Sequence, residues 1–342
     1  MKRINLVVWL PFLLVLLSCG DSRDHTTMQF FLKANIQLRQ KEYREAIRLY
    51  TEAIEKDPKF ADAYNNRGIA WYGLNNFKKA LDDYDQAIRI NPNYTDAYYN
   101  RSNAFAKLGN LKASLDDLEK VVSEYKDSAY VYVSRAMVKA QLDNYVSARE
   151  DFNRALQLNP TNVEAYVNRG FLHYNLKQYA LAEKDFLTAL SLDSLQDFAY
   201  NNLGLLKSHD KEYEEALNLL NNALRLNPRQ PYYLNNRGFV KIQLGQLEEG
   251  LTDIERSLQL DDQNGWAYRN RGIYYLKKQE HQKALEDLNR AAQLTDNIDL
   301  IHYYLGMAFA AASDQAKACQ EWSLSSALGE EEAREMIDGK CK

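Results

Sequence analysis

Six arginines each have an aspartate sixteen residues further on: Arg67 and Asp83, Arg101 and Asp117, Arg135 and Asp151, Arg169 and Asp185, Arg237 and Asp253, Arg271 and Asp287. Where the arginine is replaced its partner changes with it, since Leu203 stands with Leu219. Matched exchange predicts an Arg–carboxylate bridge, with an apolar contact substituted once. Six copies of one arrangement suit a repeated structural task better than catalysis. The other reactive side chains offer little chemistry. His25, His173, His209, His281 and His302 lack metal-ligand spacing, and Cys19, Cys319 and Cys341 form no CxxC pair that would hold zinc. No GxSxG, HExxH, P-loop or dinucleotide-binding glycine run is present. The residues predict no enzyme, no metal and no cofactor. A net charge of −4 lacks the basic excess that a nucleic-acid partner requires.

These side chains need helices to position them. With 46% apolar residues the 342-residue chain can bury a large core, and 14 Gly and 6 Pro are too few for the turns of an all-β fold of that length. The expectation is all-α. Asn-Arg-Gly recurs at 66–68, 168–170, 236–238 and 270–272, at multiples of 34. That grid carries a small residue at every point from Ala34 to Gly306, and a second small column from Ala46 to Ala318 follows twelve residues later. Two helices must touch there. A large residue, mostly Tyr, lies four positions before the first column, and Tyr50, Tyr84, Phe152, Phe186 and Trp322 are among those sixteen after it. Pro58, Pro92, Pro160 and Pro228 close the period as helix stops. The unit reads as a helical hairpin turning near its fourteenth or fifteenth residue, which sets each arginine level with its aspartate.

The pattern resembles the tetratricopeptide repeat family, whose 34-residue helix-turn-helix units carry small residues at positions 8, 20 and 27 and often proline at 32. Counted from Thr27, nine units run over 27–332. The resemblance implies a right-handed superhelical α-solenoid. Lys126, Ser194, Asp262, Asp296 and Glu330 replace the proline, and Val121 replaces a small residue in the third unit. Residues 330–342 overlap the end of unit nine and predict a capping helix, with Ala333, Met336 and Ile337 on one face.

In this family the first helix of each unit lines a concave groove, with positions 2, 5, 6, 9, 12 and 13 open to a protein or peptide. Position 6 holds Asn66, Asn100, Asn168, Asn202, Asn236 and Asn270, which can bond a peptide backbone or serve the fold. Position 9 holds Met137, Phe171, Leu205, Phe239, Ile273 and Met307, an apolar stripe that Phe198, Tyr232 and Trp266 at position 2 extend with aromatic anchors. The alternative is that curvature buries the stripe. The carboxylate clamp of chaperone-binding relatives is not expected: Asn35 and Asn66 fit it, but Phe31, Asp96 and Asn100 occupy its cationic positions.

Lys2 and Arg3 precede an apolar run from Ile4 to Leu17, shorter than a bilayer span. The run ends in Leu16-Leu17-Ser18-Cys19, which resembles the lipobox of bacterial lipoproteins. This implies a signal peptide over 1–18, an acylated Cys19, and a tether over 19–26. An ordinary secretory signal is the alternative. Export permits Cys319 and Cys341 to oxidise, so a disulfide is expected, with two free buried thiols as the alternative. The functional expectation is a lipid-anchored scaffold or adaptor in the bacterial envelope, at the outer membrane facing the periplasm, that binds a protein or peptide partner. Self-association into an envelope assembly, as a homo-oligomer, and an accessory role beside a cell-wall or glycan enzyme are the rival expectations.

Overall fold

A computed structural model describes residues 25–294 and 298–341. The leader and Cys19 lie outside them. Among the described residues there are nineteen helices and no strand, and none of the helices is long and apolar enough to cross a membrane. The chain divides into two compact units, at Asn144 and Tyr145.

The first unit contains α1 (His25–Arg39), α2 (Tyr43–Lys56), α3 (Ala61–Gly73), α4 (Phe77–Ile90), α5 (Thr95–Lys107), α6 (Leu111–Glu124) and α7 (Ala129–Gln141). Helix α1 starts two residues earlier than the repeat frame, so His25 and Thr26 are helical rather than tether. The second unit contains α8 (Tyr145–Leu158), α9 (Val163–Asn175), α10 (Tyr179–Leu192), α11 (Asp197–His209), α12 (Tyr213–Leu226), α13 (Pro231–Gln243), α14 (Leu247–Leu260), α15 (Gly265–Lys277), α16 (His281–Leu294), α17 (Ile301–Ala311), α18 (Gln315–Ala327) and α19 (Glu332–Lys340).

Each hairpin turns through a residue in the left-handed region: Lys41, Asn75, Gly109, Asp143, Lys177, Lys211, Gly245, Gln279 and Ser313, spaced by 34. Only two of the nine are glycine, so the turn is held by the packed helices rather than by glycine's freedom. The small columns do what close helices require. A Cβ placed on Gly68 would strike the ring of Tyr84, one on Gly170 the ring of Phe186, and one on Gly204 the side chain of Leu220. Those large side chains are fully buried, laid across the bare backbone of the partner helix. In the first unit, Ala34, Ala46, Leu49, Tyr50 and Ile54 form one core with Phe60, Ala63 and Ala70 of the next hairpin. The first hairpin thus finishes burying its apolar face on the second.

At the end of the second unit, α19 lays Ala333, Met336 and Ile337 over Ala318, Trp322, Tyr303 and Met307. Cys319 and Cys341 are joined by a disulfide across 22 residues, and Gln315 donates to the Lys340 carbonyl at 2.8 Å. The bond adds a covalent tie from the end of the last helix to α18. Replacing Cys341 by serine is expected to destabilise the docked cap by about 3 kcal/mol on the loop-entropy scale. Hydrogen exchange should then quicken in α19 and leave α9–α14 unchanged; uniform protection across both would refute a local clamp.

Candidate functional site

Five arginines of the hairpin column meet their aspartates through two parallel bonds. Nε and Nη2 of Arg67 donate to Asp83 at 2.9 and 2.7 Å, of Arg101 to Asp117 at 2.8 and 2.7 Å, of Arg169 to Asp185 at 2.8 and 2.7 Å, of Arg237 to Asp253 at 2.7 Å each, and of Arg271 to Asp287 at 2.6 and 2.8 Å. The aspartates are buried. Burial raises the Asp83 carboxyl above its ordinary value, and the bonds from Arg67 only partly offset this. Arg135 stacks on Tyr132 in the first unit, and Asp151 is buried in the second.

A third bond was not foreseen. Nη1 of Arg67 reaches Thr51, that of Arg101 reaches Asp85, that of Arg169 reaches Asn153, and that of Arg237 reaches Asn221. Each acceptor sits sixteen residues before its arginine, on the preceding hairpin. One guanidinium therefore ties two successive hairpins together, which gives the column a structural role.

The position-6 asparagines follow a similar rule. Nδ2 of Asn100 donates to Asn65, that of Asn236 to Asn201 and that of Asn270 to Asn235, each at 2.9 Å and each to position 5 of the hairpin before. Where that position lacks an amide, the bond goes elsewhere. Asn66 turns to Asn35 at 3.0 Å, while Asn168 and Asn202 turn to the carbonyls of Glu164 and Phe198 in their own helices. Asn202 and Asn270 are each only 1% exposed, so the expectation that they face a ligand is corrected. The Asn270 amide holds the neighbouring first helix instead, and the Asn202 amide is spent on a carbonyl of its own helix.

The apolar stripe is likewise divided. Ile273 is 3% exposed, packed among Ile242, Ile254, Ala267 and Tyr274, and Met307 lies partly buried beneath the cap, so neither offers a free anchor. Met137 is exposed in the first unit. In the second unit Phe171 is 39% exposed and meets Phe198 edge-on at 5.5 Å, and Tyr232 is 48% exposed. Leu205, Phe239 and Trp266 are half-buried.

The second unit's first helices α9, α11, α13, α15 and α17 touch in succession. Their face curls inward. Tyr174 on α9 lies within electrostatic reach of Arg269, three hairpins further on, and of Asp299, just before α17, and Tyr304 on α17 lies within reach of Tyr213. Burial pushes the Tyr174 phenol up to about 12, so it stays a neutral donor at physiological pH. Tyr179 follows it at 5.8 Å between ring centroids and stacks on His209 at 4.6 Å. Arg269 at position 5 completes this face and went unnoticed in the sequence; the available signal was a guanidinium in a column otherwise Phe, Asn, Tyr or Val. Among the described residues no group of three His, Cys, Asp or Glu could hold a metal ion.

Tetratricopeptide repeat family models match residues 31–95 and 72–129, 163–195 and 199–230, and a TPR repeat model matches 138–177. Together they span more than half of the chain. No curated protein matches it. Among solved structures, a tetratricopeptide repeat protein from Parabacteroides merdae superposes with a TM-score of 0.58 at 21% identity, over 73% of this chain and 98% of that one. A chain of the APC/C hetero-tetramer Cut9-Hcn1 superposes at 0.64 and 15% identity, over 92% of this chain and 76% of that one. At such identities the likeness is one of fold. Repeat frame, hairpin geometry and family models agree, and the chain belongs to the tetratricopeptide repeat family.

Proposed function

We propose that this chain is a scaffold that takes an extended protein segment along the inward face of its second unit, and that acyl groups on Cys19 hold it at a bacterial membrane. One observation carries the binding reading: Phe171 and Tyr232 stand exposed on first helices, beside half-buried Phe198, Phe239 and Trp266. Large aromatic side chains grouped on an inward-curling face are what a partner's apolar residues fill, and such anchors dominate binding energy. The anchoring reading rests on the lipobox-like Leu16-Leu17-Ser18-Cys19 alone.

In-cell photocrosslinking from Phe171 and Phe239, with exposed Lys184 on α10 as the control, tests the groove. The expected result is a foreign protein captured from both aromatic positions and not from Lys184. Adducts between copies of this chain would replace the adaptor by a self-assembling scaffold, and no adduct would mean the aromatics are packing alone. Metabolic labelling with a fatty-acid analogue tests the anchor, since label that persists in Cys19→Ala would exclude this site.

A further inference from the structure

In five of the six column arginines the guanidinium carbon lies 5.2 to 5.6 Å from the ring centroid of a tyrosine three residues earlier, as Arg169 does from Tyr166. Arg237 is the exception. Leu234 stands where its tyrosine would be, and among the described residues no ring lies over this guanidinium. The adjacent Tyr233 does not supply one, since it is buried and its hydroxyl donates to Asp197, at the start of α11, at 3.3 Å. A cleft of about 300 Å³ lies between α12, α13 and α14 instead, lined by both Leu234 and Arg237. Leu224 and Leu234, both buried, give it an apolar floor, and Pro228, Arg225 and Arg256 complete its wall.

The three arginines present different parts of themselves. Arg237 directs Nε and Nη2 to Asp253 and Nη1 to Asn221, so it offers the cleft its flat face rather than its donors. Such a face stacks on aromatic rings. Arg225 and Arg256 are exposed, and neither has a hydrogen-bond or ion-pair partner among the described residues. The helix dipole accounts for Arg225, in the last turn of α12, but not for Arg256, which lies inside α14. Two unpaired cations lining one cleft repel each other, and this in a chain whose net charge is −4. An oxyanion between them relieves the repulsion and accepts hydrogen bonds from both planar forks.

We propose that this cleft binds a small aromatic oxyanion. Its ring lies over Arg237, in the place that tyrosine takes in the other hairpins, and its carboxylate or phosphoryl group is held by Arg225 and Arg256. The site shares no residue with the inward aromatic face, so it does not depend on the groove reading.

Calorimetric titration of the full chain with phenyl phosphate, benzoate, inorganic phosphate and phenol tests the site. Phenyl phosphate or benzoate should bind at least about ten-fold more tightly than inorganic phosphate or phenol, because only the first two carry ring and charge together. The tighter of the two identifies the oxyanion. Arg225→Gln and Arg256→Gln should each weaken that ligand about ten-fold, the loss expected for a charge-assisted hydrogen bond. Leu234→Tyr restores the pairing that five other hairpins carry, so the fold accommodates it, and the added ring should fill the cleft and abolish binding. Phe171→Ala should leave binding unchanged. Inorganic phosphate that binds as tightly as phenyl phosphate would reduce the arginines to surface cations and overturn the site. Aromatic-anion binding that survives Leu234→Tyr, or no binding of either aromatic anion to the unaltered chain, would overturn it as well.

Discussion

Arg169→Leu is expected to destabilise its part of the second unit by about 3 to 5 kcal/mol, the loss that follows removal of one partner from a buried ion pair. The variant strands Asp185, which is buried, and also releases Asn153 on the preceding hairpin. Adding Asp185→Leu should restore most of the loss. The protein itself contains the precedent, since Leu203 and Leu219 stand at the equivalent positions of the following hairpin and pack into one core with Phe186 and Leu206. Hydrogen exchange across α9 and α10 reads this better than a single melting curve, because an array of repeats need not unfold in one step. If the single variant and the double variant exchange alike, the pair is not what holds the hairpin.

The second expectation sets one added methyl against another. Gly238 and Gly250 face each other where α13 crosses α14, and a Cβ on either would lie 2.8 Å from the other's carbonyl oxygen. The Gly238 methyl would also come within 2.7 Å of Ile254 Cγ1. Ile254 is fully buried and has nowhere to go. Gly238→Ala should therefore cost about 3 kcal/mol by overpacking, less the roughly 1 kcal/mol that alanine returns in helix propensity. Gly339→Ala adds the same atom in α19 with nothing within 4 Å, so propensity alone acts and the cap should gain about 0.5 kcal/mol. Opposite signs in exchange at α13 and α19 are the expected reading. A stabilised Gly238→Ala would mean the two helices are not in close contact there.

The residue pattern determined a good deal unaided. A 34-residue period places small residues where helices touch and arginine level with aspartate, because both depend only on the spacing within one hairpin. The pairing of Arg169 with Asp185 was legible for that reason, as was the apolar face of α19. Relations between hairpins were not. Whether Asn202 reaches a neighbour or its own Phe198 carbonyl depends on the residue that stacking brings opposite it, and there Val167 offers no acceptor. Phe171 and Ile273 share one repeat position, yet the first stands 39% exposed and the second lies under Phe239 and Tyr304. Arg269 shows the same limit: its spacing gave no hint that Asn270 and the Asp299 carbonyl would accept its bonds. Local periodicity decides which face of a helix turns inward, but only the stacked and curled array decides what that face then meets.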